Sequence, residues 1–548
     1  MMLSKLISVL LVLTLLASLV LACANNEETS TEETTSEETA TEETATEESS
    51  APIDIWAKYD SPIELSTVAP LNPEDTYPEG DDVYDNAWLR KASEELGIKI
   101  RYNWVVDKSQ EQAKIATMLA SGDMPDFFRV DPPTFRKLAE AGALMDLTDI
   151  YPKYRSDEVK TQDEAFPEGF QSAFVNGRQY GVAQLGWGKI ALPQILWIRS
   201  DWLAKSGLQV PKTVEELEAL ALKFMEQNPG SYGIAVDKDL TTHVNSMIGL
   251  ANAHHSYPNI WIEKDGAIAF GSTQPEMKQM LSTAQSWYNQ GIISKEFSVK
   301  DQAAVVQDII GSKVGIMFGV QWMGWWPLGD LVKIDPNAEW QAVEIPSFDG
   351  KDVFIQGDWD VPFYTVVNKN AKNPEAVMKL MNWYLKQIQT GAYEEAPLKG
   401  TKDTTFPVYV AQPKRDYDTS VAITNAIEQN DISKLSPADL FTYNQMLPWM
   451  ESKNVEGYGR YKQMGPDGSY KVIRQYLDSN RLIITELQGA TPEGYSKTKA
   501  TLDKLQLEAF TKIIMGDPVD TTFDEFVKSW NALGGQAATD EVNSIYGN

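Results

Sequence analysis

Ile195-Leu-Trp-Ile-Arg-Ser-Asp-Trp-Leu-Ala-Lys-Ser-Gly-Leu-Gln-Val-Pro-Lys-Thr-Val-Glu-Glu-Leu217 holds the two kinds of element from which the chain is built. Ile195–Arg199 is an apolar run without alternation, the pattern of a strand buried on both faces. Thr213 then stands where a helix N-cap belongs, with Pro211 upstream and Glu216 at the third helical position, a capping box that opens a helix over Val214 to Met225. Strand followed by capped helix is the unit of an α/β protein.

The same alternation runs outward in both directions. Helices are predicted over Asn86 to Leu96, closed by Gly97, and over Gln110 to Ala120, closed at Gly122. Others are predicted over Pro275 to Asn289, ending at Gly291, over Pro374 to Leu385, and from a Thr522 cap through Trp530, stopped by Gly534-Gly535. Strand-like runs fall at Ile98 to Trp104, Phe127 to Val130, Val314 to Phe318, Gln341 to Ile345 and Phe363 to Asn368, so largely parallel sheets are expected. About 500 residues after Ala51 imply at least two domains. No Pro/Ser-rich linker or internal repeat separates them, so the domains are either continuous and packed or linked by several crossings.

The N-terminus differs in kind. Lys5 is the only charge before Cys23, an apolar run extends from Leu6 to Val20, and Leu21-Ala22 precede Cys23. A positive start, an apolar stretch and a small residue at the cleavage point describe a secretory signal over residues 1–22. Val20-Leu21-Ala22 resembles the bacterial lipobox, which implies that Cys23 is acylated and becomes the new N-terminus. The alternative, an uncleaved membrane helix, needs about 20 apolar residues, and this run is shorter. Cys23 is also the only cysteine, so the body has no disulfide and no thiolate metal site. Residues 24–50 contain only Asn, Glu, Thr, Ser and Ala, with Glu pairs every five residues. Nothing there offsets the entropy of ordering, and like charges extend the segment. With Cys23 it reads as a tether spanning about 30 Å or more.

The chain carries a net charge of −30, of which ten glutamates belong to the tether. The remaining body is still strongly acidic and shows no Lys/Arg cluster, which argues against a nucleic-acid partner.

Five segments together resemble the bacterial extracellular solute-binding proteins of ABC importers. They are Ala120-Ser-Gly-Asp-Met-Pro-Asp126, Asn176-Gly-Arg-Gln-Tyr-Gly-Val182 (with Ala183 where relatives carry Pro), and Trp197 to Leu217. Lys313-Val-Gly-Ile-Met-Phe318 and the terminal Phe523 to Gly535 complete the set, the last in the manner of the long-chain, family 1 lipoprotein branch. The resemblance implies a type II periplasmic-binding fold of two discontinuous α/β lobes joined by a hinge. Residues 51–180 with about 366–430 would form lobe 1, and about 184–358 with about 435–548 lobe 2. The crossings are expected near Tyr180 to Ala183 and near Asp358 to Tyr364. It further implies a carbohydrate ligand, most often an oligosaccharide, delivery to ABC permease subunits, attachment to the outer face of the cell membrane, a monomer, and no enzymatic activity or cofactor. Some long-chain relatives carry an Asp/Asn-rich calcium loop. Here Gln227-Asn-Pro-Gly-Ser231 lacks carboxylates, and a hard cation wants several, so no metal is expected.

The chain has 16 Trp and 22 Tyr. Trp88, Trp287, Trp383 and Trp530 sit at apolar helical spacing and read as core. Trp187, Trp322, Trp325 and Trp359 stand beside Gly, Asp or Pro in loops. There an indole can lie on the apolar face of a pyranose while charged planar groups hold its hydroxyls. Family position adds Tyr59 and Asp60 after the first strand, Arg129 and Asp131 after the Pro-Asp turn, and Asp358 and Asp360 beside Trp359. These ten residues are the candidate ligand contacts. A surface glycoside hydrolase or lyase is the alternative, since two carboxylates at the right separation suffice and Asp358 with Asp360 would be the suspects. His254 and His255 are adjacent and point apart, which disfavours a metal pair and leaves a ligand role open for either. No G-x-S-x-G, P-loop or H-E-x-x-H pattern occurs.

Overall fold

Thr213 and Glu216 form the capping box. The Thr213 hydroxyl accepts from the Glu216 backbone N–H at 3.1 Å, and the Glu216 carboxylate accepts from the backbone N–H groups of Thr213 and Lys212. The helix they open runs Val214–Gln227. The computed structural model that reveals this describes residues 53–547 except 73, 74, 191 and 243. The signal-like segment, Cys23, the acidic tether and His243 therefore lie outside the described residues.

The other predicted helices form within a few residues of their expected ends. Ala87–Leu96 starts at Asn86, whose side chain accepts from the Leu89 N–H, and closes at Gly97 with φ 70°. Glu111–Ser121, Glu276–Gln290 and Glu375–Gln389 follow the reading closely. The last helix does not. It runs Val519–Trp530 and starts one turn before Thr522, because Pro518 presets the first turn and its carbonyl accepts from the Thr522 N–H. Gly534 does break it, at φ 118°, and a separate helix, Gln536–Tyr546, follows across the kink.

The strands sit where the apolar runs place them, but their directions are mixed rather than largely parallel. Ile63–Leu71 pairs in parallel with Ile98–Asp107. Ile195–Arg199, buried along its whole length, lies between Ile316–Gly319 and Trp340–Val343 and is antiparallel to both. Tyr364–Val367 lies between Phe127–Val130 and Gly181–Ala183, again antiparallel to each. Burial on both faces fixes the apolar character of a strand and leaves its direction to the connections.

Buried apolar side chains collect in separate clusters. The largest surrounds Ile195–Arg199 and takes residues from 190–355 and again from 423–542. Two smaller clusters draw on 65–185 and return at 361–408. The chain therefore leaves one α/β core, builds most of another, comes back and departs again, the discontinuous two-lobe arrangement of a type II periplasmic-binding fold. The helix Arg415–Gln429 contributes Ile423 to the larger cluster and packs on Tyr458–Met464 and Ser469–Asp478. Trp88, Trp287, Trp383 and Trp530 are all core, none more than 2% exposed. No helix among the described residues is long and apolar enough to cross a membrane.

Candidate functional site

The strand Ile316–Gly319 ends in the turn Gln321–Gly324, and the chain then passes through Trp325-Trp326 to a cis Pro327. Close backbone packing holds this turn. A side chain on Gly459 would come within 2.5 Å of the Trp325 ring, so only glycine allows the helix Tyr458–Met464 to approach so near. Trp322 and Trp326 stack with centroids 6.3 Å apart. Trp325 is 54% exposed, Trp326 40%. The Arg460 guanidinium lies 4.3 Å over the Trp325 ring, with its Nε–H donated to Gln445 and one Nη1 proton to Gln463.

These indoles line one side of a cavity of about 530 Å³. Trp187, 42% exposed, also lines it, and Tyr393, Tyr409 and Phe441 complete the aromatic lining. Gln412, Arg415, Asp416, Arg460 and Gln463 supply its polar groups. Burial raises the Asp416 carboxyl pKa against the Tyr470 hydroxyl, which donates to it at 3.0 Å, and against Arg415 and Arg460. Burial also lowers the Arg460 pKa. Aromatic faces beside fixed, partly desolvated hydrogen-bonding groups suit a polyhydroxylated ring compound with apolar C–H faces.

Three of the ten residues expected from sequence, Trp187, Trp322 and Trp325, meet at this cavity. Asp360 stands behind it. Its carboxylate accepts from the Trp187 backbone N–H at 2.6 Å and lies where a Gly186 side chain would project. Gly186 has φ 50°, so glycine serves both the turn and the close approach. Asp360 is thus a positioning residue for Trp187. Asp360→Ala should weaken ligand binding about tenfold, the scale of one charge-assisted hydrogen bond, while Asp360→Asn, whose amide oxygen can still accept, should recover most of it in calorimetry.

The remaining six lie elsewhere. Trp359 packs edge-on against Phe166 at 5.1 Å, with its ring nitrogen buried, and is a packing residue. Asp358 borders a separate cavity of about 240 Å³ with Thr241, Asn259 and Gln356, where burial raises its pKa. Tyr59 donates to Glu375 at 2.6 Å and packs on the core around the first parallel strand pair. Asp60 is exposed outside the aromatic cavity. Asp131 caps the helix Pro132–Glu140, accepting from the Thr134 N–H at 2.8 Å. Arg129 faces a third, smaller cavity. His254 is buried against Phe348, which lowers its pKa to about 4, and His255 pairs with Asp349 at 3.0 Å, so neither borders the aromatic cavity. Among the described residues no group of three His, Cys, Asp or Glu is placed to hold a metal ion.

Trp326, Tyr393, Tyr409, Gln412, Arg415, Asp416, Arg460 and Gln463 were not among the residues expected. Tyr409-Val-Ala-Gln-Pro-Lys-Arg-Asp416 does carry the signal used for Trp187, an aromatic and charges beside Pro. Arg460 and Gln463 sit within a helix and had no such mark.

Two α/β cores in a chain that crosses between them, with an aromatic cavity, are the architecture of a solute receptor. The profile of the family described as "Bacterial extracellular solute-binding protein" matches residues 79–389, more than half of the sequence, and the chain belongs to that family. It is a binding protein and not an enzyme, and the hydrolase alternative finds no support. The chain is similar to "Lipoprotein LipO" of Bacillus subtilis, 22% identical over 505 residues and covering 87% of this chain and 90% of that one. It is 21% identical to the "Polygalacturonan/rhamnogalacturonan-binding protein YtcQ" of the same organism, over 81% of this chain and 84% of that one. Among solved structures, a solute-binding protein associated with an HMO-binding ABC transporter of Bifidobacterium longum infantis has a TM-score of 0.59 at 18% identity. The alginate-binding protein AlgQ2 has 0.57 at 16%. Each covers 89% of this chain and is itself 99% covered, and each speaks to the fold alone.

Proposed function

We propose that the chain is a lipid-anchored receptor that captures an oligosaccharide between two lobes and delivers it to the permease of an ABC importer, acting as a monomer. The observation that carries the ligand class is the convergence of Trp187, Trp322, Trp325 and Trp326 on one cavity whose polar groups are planar and partly desolvated. Relatives described as binding polygalacturonan and rhamnogalacturonan, or as a fructooligosaccharide ABC transporter component, support the same class. Lobe 1 comprises residues 51–180 and about 366–412, and lobe 2 about 184–358 and 415–548. The second boundary is drawn before the helix Arg415–Gln429 because Ile423 packs in the larger core. Closure is a hinge rotation about the crossings, two of which are pinned to each other through Asp360 and Trp187. Small-angle scattering with saturating oligosaccharide should register a smaller radius of gyration, and the sugar should be recovered intact. An unchanged radius, or cleaved sugar, would reject this reading.

The anchor rests on the apolar run that ends at Cys23. Cys23→Ser should abolish lipidation and release the protein from membranes once the signal is processed. Persistent membrane partitioning of that variant with its apolar segment retained would instead favour an uncleaved helix.

A further inference from the structure

Arg129 lies on the strand Phe127–Val130, opposite Thr365 in the register. Its guanidinium carbon sits 5.7 Å over the Phe363 ring. Among the described residues its N–H donors make no hydrogen bond and no ion pair. Burial disfavours its charged form, with Glu111 the leading compensating charge. That carboxylate is already held by Lys108 at 2.5 Å, and Lys108 shares the Phe363 ring. Asp75, on the same cavity wall, accepts from the Asn72 backbone and side chain. Beside Arg129 the Tyr102 hydroxyl is buried with no hydrogen-bond partner, and burial keeps it in the neutral, donating form. Arg129 is only partly buried, so its unbonded donors are open to a ligand, whereas the buried Tyr102 hydroxyl is costly unless something supplies an acceptor.

The cavity they face is about 30 Å³. That is a small fraction of the aromatic cavity, so it admits a functional group and no sugar ring. One stretch of chain, Pro407 to Tyr409, reaches both it and the aromatic cavity. Pro407 lines the small cavity and Tyr409 the large one, and two residues of chain span at most about 7 Å. Phe406 and Tyr409 also pack on the same Tyr384 ring, at 6.1 and 5.6 Å.

We infer that the oligosaccharide is acidic: a uronate carboxylate of the bound sugar docks on the Arg129 fork, with the Tyr102 hydroxyl donating to the same group. A guanidinium offers two parallel donors matched to a carboxylate, and a neutral hydroxyl cannot use both. The inference rests on the receptor reading above and adds the charge of the ligand.

Calorimetry of the full chain with trigalacturonate and with its carboxyl-reduced trimer tests it. The acid trimer should bind at least about tenfold more tightly. Arg129→Gln should remove that preference, bringing the affinity for the acid trimer down to that for the reduced one. Tyr102→Phe deletes one hydroxyl without disturbing the strand, and should reduce the preference several-fold even if Arg129→Gln folds poorly. Equal affinity for the two trimers, or a preference that survives both substitutions, overturns the inference. Binding of kestose without trigalacturonate also overturns it and leaves the sugar-receptor reading intact, whereas failure of every oligosaccharide to bind defeats both.

Discussion

Trp325→Ala should weaken oligosaccharide binding by about 2 kcal/mol or more, the scale of an interface hot spot, which is roughly thirtyfold in affinity. The indole is 54% exposed, so little of its area stabilises the unliganded fold. What it supplies is a flat face in the aromatic cavity and a platform for Arg460, whose guanidinium lies 4.3 Å away. Losing the ring removes the stacking surface and one of the contacts that hold the Arg460 guanidinium beside it. Calorimetry should therefore register a loss of affinity while the melting temperature stays near wild type. Trp322 separates the two effects less cleanly, since it is half-buried, packs on the larger core and stacks on Trp326. Its replacement by Ala should cost both affinity and stability. Normal binding by Trp325→Ala would remove the stacking argument for the whole cluster.

The fold was legible wherever local chemistry and tertiary packing agreed. Thr213 and Glu216 announce their helix because both partners of the capping box lie within four residues. Gly97, Gly122 and Gly291 announce helix ends because each takes the left-handed conformation that other residues avoid. The helical region between 415 and 515 was not read. Pro437–Ser452 carries Pro448 inside it and buries only Thr442, Met446 and Trp449, so it has neither an uninterrupted helical sequence nor an apolar stripe. Glu493–Met515 is long, but its buried positions include Gln506, which donates to Asn259 on a distant segment.

The site divided along the same line. Loop tryptophans beside Gly or Pro did converge, because a large aromatic on a loop that is not covered by a helix must face a cavity or solvent. The carboxylates were misjudged because short-range bonding decides their roles. Asp131 caps its own helix and Asp360 holds a backbone N–H 173 residues earlier, and only the first of these can be anticipated from local sequence. The partners Arg415, Asp416 and Arg460 depend on the chain's last return to the larger core, which no local pattern encodes.

Trp287→Ala should do the reverse of Trp325→Ala, costing about 3 to 5 kcal/mol of stability, the usual loss for truncating a buried Trp. Trp287 is 1% exposed on the helix Glu276–Gln290, which packs on Glu493–Met515 and Val519–Trp530. Its ring N–H donates to the Glu218 carboxylate at 2.8 Å, and that glutamate also accepts from Gln290. The side chain thus joins the capped helix Val214–Gln227 to the helices at the end of the chain. Truncation opens a cavity that the surrounding helices can close only in part, and it removes the bond to Glu218 as well. Trp287→Phe divides the two terms: it keeps most of the apolar contact and loses the N–H, so it should cost about 1.5 to 3 kcal/mol, the range for a hydrogen bond to a charged group, with some loss of fit in addition. Urea midpoints should fall in the order wild type, Trp287→Phe, Trp287→Ala at similar slopes. Binding measured well below the midpoint should be unchanged, because Trp287 does not line the aromatic cavity. A Trp287→Ala protein that kept its stability but lost its ligand would mean that the partition of tryptophans into core and cavity, on which the site rests, had been drawn in the wrong place.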